Sequence, residues 1–132
     1  MLATSIIEQD SLERVGSRVR VSVRIPWYRA LPLSSISDVR VVIDGTEVPH
    51  DSLTWTVDGV RYRLDELPEH WDRSWYVLDS SVIEGDDVSD QGREEHEVDV
   101  TIGLYIPYLP AGPGVLQIRE QDTKTLTMKE AE

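Results

Sequence analysis

A single-domain antiparallel β-sandwich is the fold class this chain predicts, and three observations predict it. Apolar and polar residues alternate in several short runs, two Asp-Gly dipeptides separate such runs, and no segment keeps a 3.6-residue period beyond a turn or two. The 132 residues fit one domain, residues 1–132, and a hydrophobic content of 39% suffices for one core.

The clearest run is Gly16 to Ile25, where Val19, Val21, Val23 and Ile25 alternate with Arg18, Arg20, Ser22 and Arg24. Period two puts the apolar set on one face of a strand and the arginines on the other. Burying those four side chains contributes roughly 6–12 kcal/mol gross, and a one-residue slip would bury the arginines instead. A second strand through Val39, Val41 and Ile43 meets Asp44-Gly45, a dipeptide suited to a two-residue hairpin turn, and returns through Glu47 and Val48 to stop at Pro49. Another hairpin runs Leu53, Trp55, Val57, turns at Asp58-Gly59, and continues Val60, Tyr62, Leu64, with Trp55 and Tyr62 expected in the core.

Asp65-Glu66-Leu67-Pro68 can form at most a helical turn, because a residue before proline is pushed out of the α region. Trp75 to Ile83 reads as strand and runs into Glu84, Asp86, Asp87, Asp90, Glu94 and Glu95, expected to be a flexible, solvated loop near 84–95. From His96 to Ile106, Val98, Val100, Ile102, Leu104 and Ile106 alternate against Glu97, Asp99, Thr101, Gly103 and Tyr105. That strand is long enough, at about 3.3 Å per residue, to cross a whole sheet. The tail after Pro113 has material for one or two more strands before a frayed Lys129-Glu130-Ala131-Glu132 end.

Composition narrows the function. A formal charge of −12, from 25 acidic and 13 basic side chains, repels nucleic acid and anionic membranes. With no cysteine there is no disulfide framework, thiolate nucleophile or sulfur-based zinc site, which fits a cytoplasmic setting. Met1 to Glu8 lacks a basic, then apolar, leader pattern, and no run approaches the roughly 18 apolar residues of a membrane span. A soluble, cytoplasmic protein is the expectation.

Catalytic constellations are hard to find. His50, His70 and His96 are too widely spaced for a local metal clip and read as unrelated surface residues. A calcium loop starting at Asp87 would place Val98 where a bidentate glutamate is needed. The 25 carboxylates make close acidic pairs by chance, so no glycosidase pair can be singled out. Neither a G-x-S-x-G elbow nor a phosphate-cradling glycine loop occurs.

The aromatic residues say more. Four Trp and five Tyr occur with no Phe, so every ring carries a polar handle, as favoured at sugar sites and protein interfaces. Two proline-marked segments stand at strand ends: Ile25-Pro26-Trp27-Tyr28-Arg29-Ala30-Leu31-Pro32-Leu33-Ser34 and Ile106-Pro107-Tyr108-Leu109-Pro110. Each stiffens a loop and presents large side chains, which preorganises a contact surface. Trp27, Tyr28, Arg29, Leu31 and Tyr108 are therefore the candidate partner or substrate-entrance contacts. Arg29 needs acceptors for its five donors, either from a loop-organising carboxylate or from a ligand or partner.

These segments, the hairpin Val39 to Val48, the stretch from Leu64-Asp65-Glu66-Leu67-Pro68 to Trp75-Tyr76-Val77-Leu78-Asp79, and Glu95 to Thr101 together resemble the small β subunit of bacterial C-glycoside deglycosidases over roughly residues 15–110. The resemblance implies a β-sandwich bound to a larger, sugar-isomerase-like barrel α subunit in a hetero-oligomer. It implies that the α subunit holds the acid–base residues and a divalent metal, with manganese the expected ion, and that this chain holds no cofactor or catalytic residue of its own. The activity it implies is a lyase reaction that cleaves the C–C bond between a 3-oxo sugar and an aromatic aglycone. A 3-ketone acidifies the neighbouring C–H, so proton abstraction and departure of the aglycone become feasible. Two other readings stay open on the residues alone: a stand-alone carbohydrate-binding β-sandwich, and a hydrolase using two of the carboxylates.

Overall fold

The computed structural model describes residues 6–24, 30–57, 59–71, 73–75, 80–90, 92–112 and 114–130, with backbone only over 107–111. The strands are β1 (Glu13–Val15), β2 (Arg18–Val23), β3 (Leu31–Pro32), β4 (Ile36–Ile43), β5 (Thr46–Glu47), β6 (Thr54–Val57), β7 (Val60–Arg63), β8 (Ser74–Trp75), β9 (Ser81–Asp86), β10 (Glu95–Ala111), β11 (Gly114–Thr127) and β12 (Lys129–Glu130). Short 3-10 turns occupy Leu33–Ser35, His50–Ser52 and Leu64–Glu69. The last of these contains Pro68 and never becomes an α-helix, as the proline requires.

Two sheets form the sandwich. One has the order β12-β1-β2-β9-β6-β7, the other β11-β10-β4-β5, and a separate pair, β3-β8, lies at the side. Every pairing is antiparallel except β1 with β12. The alternation seen in the sequence governs what is buried: Val19, Val21 and Val23 from β2 join Val39, Val41, Ile43, Val98, Val100, Ile102, Leu104 and Ile106 in one core. Trp55 and Tyr62 join it too, and the Trp55 ring meets Trp75 edge-on with centroids 4.9 Å apart. Asp44 and Gly45 take φ values of 52° and 82°, the two left-handed residues that a tight primed turn between β4 and β5 demands.

Four expectations need correction. The acidic stretch is not simply a solvated loop: β9 runs through Asp86, Glu84 is buried against Arg18 and Arg61, and the Asp87 side chain is buried against Arg14. The reason is that Arg18 from the adjacent strand β2 and Arg61 from β7, one strand beyond β6, project onto the outer face of the same sheet and cover Glu84. The tail is also more ordered than its charge suggested, because Lys129 and Glu130 pair with Glu13 and Arg14. Val60, in phase with Tyr62, is nevertheless 38% exposed, since it closes a hairpin on the edge strand β7. His96 is not a surface histidine but is fully buried.

β11 departs most from a simple pattern. Its inward face carries Asp122 and Lys124 between Ile118 and Leu126, and these charges serve the backbone of the N-terminal segment. Asp122 accepts the Ile6 and Ile7 N–H groups at 2.9 Å each, and Lys124 Nζ donates to the Ile7 carbonyl at 2.6 Å. Ile7 in turn bridges Val23 of β2, so residues 6–8 lie between the two sheets at one end of the sandwich.

Candidate functional site

Arg24 and Ser80, described residues that flank 25–29 and 76–79 in the sequence, stand at that same end. Both side chains converge on Glu8: Arg24 Nε donates to its Oε1 at 2.8 Å, and the Ser80 hydroxyl donates to Oε2. Burial on its own would raise the Glu8 carboxyl, but the Ser80 and Arg24 hydrogen bonds and the Arg24 and Lys124 charges outweigh it and hold the group below the usual carboxylate range. Glu8 therefore ties Arg24 and Ser80 to one carboxylate.

Of the sequence-predicted contacts, Trp27, Tyr28 and Arg29 lie outside the described residues, and so does the Tyr108 side chain, although its backbone belongs to β10. Leu31 is 2% exposed, paired across β3–β8 with Trp75 and packed in the core, so its side chain is used inside its own chain.

Beyond this end extends a ribbon where the sequence predicts a strand end at Ile106 and a loop from Pro107 to Pro110: β10 instead runs on to Ala111, with a bulge at the prolines in place of a stop. β4 accompanies β10 no further than Leu104, opposite Ile36, whereas β10 and β11 continue pairing through Ile106–Leu116 and Pro110–Val115. The register shifts between Ile106 and Pro110, leaving residues 107–109 without Cα partners, a bulge in the β10 side of the ribbon. Ile106 is fully buried and Leu116 and Ile118 pack against the core, while Tyr105 and Val115 are 42% and 40% exposed.

The histidines occupy three different environments. His50 lines an open cleft of about 400 Å³ with Asp51, Leu53, Arg63, Leu64 and Asp65. His70 stacks on Tyr62 with centroids 4.5 Å apart. His96 has Nδ1 2.6 Å from Asp44 Oδ2 and Nε2 3.0 Å from the Arg93 carbonyl, so both ring nitrogens face acceptors and neither is left to ligate a metal. Asp44 also accepts the backbone N–H groups of Asp90 and Glu97 at 3.0 Å each. Burial alone would raise its carboxyl, yet the His96 bond and these two N–H donors hold it below the usual range. The sequence did carry a signal for His96: it is in phase with Val98 and Val100, on the core face of β10. Among the described residues no three His, Asp or Glu side chains converge as a metal site.

A family model for the C-glycoside deglycosidase beta subunit matches residues 2–108. The chain belongs to that family. A C-glycoside deglycosidase beta subunit from Arthrobacter globiformis is 43% identical over 126 residues, covering 96% of each chain. One of the same name from Microbacterium trichothecenolyticum is 42% identical over 127 residues, again covering 96% of each. A 3'-dehydrocarminate deglycosidase beta subunit from a Microbacterium species is 38% identical over 131 residues and 98% of both. Among solved structures, the collagen-binding subdomain of the Enterococcus faecalis surface protein ACE aligns with a TM-score of 0.43 at 11% identity, over 95% of this chain and 98% of that one.

Proposed function

We propose that this chain is the β subunit of a heteromeric C-glycoside deglycosidase that cleaves the C–C bond between a 3-oxo sugar and an aromatic aglycone. The observation that carries the reading is the match, over nearly the whole length of both chains, to proteins named as beta subunits of such deglycosidases. The name of a third relative, a 3'-dehydrocarminate deglycosidase, supports an oxidised sugar as the substrate feature.

In this reading the larger barrel-type α subunit holds the divalent metal and the acid–base residues. The described residues of the β subunit do not fit a metal: the one buried imidazole–carboxylate pair is saturated by acceptors and backbone donors. The β subunit's task is to support assembly and shape the active-site entrance, with Trp27, Tyr28, Arg29 and Tyr108 as its contacts to the partner or the substrate entrance. Arginine on a proline-stiffened loop between apolar neighbours is suited to a fixed, planar contact with carboxylate or carbonyl oxygens.

Co-expression with the larger subunit, followed by assay of 3-oxo C-glycoside cleavage, tests the proposal. The expected result is a stable complex in which turnover requires both chains. Turnover by this chain alone would replace the reading with a hydrolase, and glycan binding by a monomer that ignores the larger subunit would replace it with a binding module. Within the complex, Trp27→Ala or Tyr108→Ala should weaken association by about 2 kcal/mol if these are central contacts.

A further inference from the structure

We infer that the projecting β10–β11 ribbon, outward face and free edges together, is an insertion element that seats in an apolar groove of the larger subunit. The inference rests on the proposed β-subunit reading and assigns the surface through which that assembly is made.

Three observations carry it. First, from Val100 to Ile118 the chain contains no Asp, Glu, Lys or Arg, although 29% of the whole sequence is charged. Interface cores are depleted in charge and enriched in aromatic residues in this way, whereas a solvated hairpin is not. Second, past Leu104 the ribbon loses its β4 neighbour, and β11 has no other neighbour in its sheet, so among the described residues neither edge is paired there. Free edges are normally blunted with charges, prolines or bulges; β10 has Pro107, Pro110 and its bulge, whereas Gly114 to Ile118 on the β11 edge carries none of these. Third, a two-stranded ribbon is only marginally stable in water unless something covers it, and this one exposes Tyr105 and Val115 on its surface while, among the described side chains, Ile106, Leu116 and Ile118 at its base rest on the core.

Charge selects the occupant. Two copies of a chain of net charge −12 repel one another, which opposes pairing the ribbon with its own equivalent in a second copy. A different subunit is not bound to share that charge, and its receiving surface must be apolar where it meets Tyr105 and Val115. The bulge at residues 107–109 bends the β10 side of the ribbon and so fixes the direction in which its tip enters the partner.

The test uses the complete chain with the larger subunit from the same source. Both outward residues are already exposed, so Tyr105→Asp combined with Val115→Asp should leave the melting temperature of the isolated chain nearly unchanged. Its affinity for the larger subunit should fall at least about thirtyfold, as expected for central contacts. Val60→Asp, at an exposed apolar residue on another edge of the fold, should change affinity less than about threefold. Wild-type-like binding by the double variant would overturn the inference while leaving the β-subunit reading intact, and so would an equal loss from Val60→Asp. If the variants instead dissolve a homodimer, the ribbon is a self-interface and the inference fails. Failure of the wild-type chain to bind the larger subunit at all would remove the reading beneath it. Hydrogen exchange on the wild-type chain gives a mutation-free check: amides of Gly114 to Ile118 should exchange at least about tenfold more slowly in the complex, and unchanged rates would refute docking there.

Discussion

Replacing His96 by leucine removes the side-chain partner of a buried carboxylate. Asp44 has a side-chain exposure of 4%, and His96 sits 2.6 Å from it. Removing one half of a buried pair typically costs about 3–5 kcal/mol, because the remaining charge is stranded. Asp44 keeps the N–H groups of Asp90 and Glu97, which places the expected loss near the lower end, about 3 kcal/mol. With an unfolding entropy of about 2.1 cal/mol/K per residue, that corresponds to a fall of roughly 10 °C in Tm for a chain of 132 residues. Urea unfolding followed by tryptophan fluorescence reads the change. Adding Asp44→Asn should recover much of the loss, since no buried charge then lacks its partner, and asparagine tolerates the left-handed φ at this turn. A loss below about 1 kcal/mol for the single variant, or a double variant as unstable as the two single losses added, would refute the argument.

Acid should reveal the same carboxylate. Because Asp44 is held below its ordinary value when folded, its contribution is complete above about pH 4 and drains away as the pH falls through the folded value, so the wild-type urea midpoint should decline there more steeply than that of Asp44→Asn. Arg14→Lys should cost about 2 kcal/mol in thermal unfolding, because one ammonium cannot reproduce bonds to Asp87 at 2.6 Å, Glu130 at 2.6 Å and the Ser89 hydroxyl at 3.0 Å. Gly85→Ala should destabilise by about 1–3 kcal/mol, since its Cβ would lie 2.5 Å from Val48 Cγ1 and 2.9 Å from Leu53 Cδ2 in a packed core. Replacing His50 and His70 together by glutamine should leave the metal content of the assembled enzyme unchanged by elemental analysis; loss of one equivalent would show that this chain supplies a ligand.

Period-two alternation was enough to place β2, β4, β6 and β10 and to orient their side chains, because each buries one face against a single core. The Asp44-Gly45 turn was equally legible, since few dipeptides adopt two consecutive left-handed conformations. β11 was harder to read because Asp122 and Lys124 occupy inward positions whose partners are backbone atoms of Ile6 and Ile7, over a hundred residues away. The burial of Glu84 and Asp87 was hidden for the same reason: a carboxylate looks solvated until the arginines of other strands are brought over it. At the candidate site, the proline-marked segment after Ile106 reads as a loop that ends its strand, whereas β10 continues past a bulge to Ala111, because only residues 107–109 drop out of the pairing with β11. The ribbon's projection was invisible, because nothing local tells where the neighbouring strand β4 stops. Leu31 illustrates the converse, a residue in an apolar loop-like segment that a two-residue strand draws into the core.

The parallel contact of β12 with β1 sets an order of events during folding. Hairpins β4–β5, β6–β7 and β10–β11 join residues close in the chain and can form early, whereas Arg14 and Glu130 meet across a separation of 116 residues. Closing so long a loop is entropically slow, so the seam between the first and last strands is expected to zip after the hairpins and, holding only two residues on the β12 side, to open first. Meanwhile the uncharged end of the β10–β11 ribbon stands in solvent on a half-assembled sandwich, the kind of surface on which nascent chains aggregate. A cell making this protein thus gains from supplying its partner at the same time and place, so that the ribbon is claimed before another unfinished chain finds it.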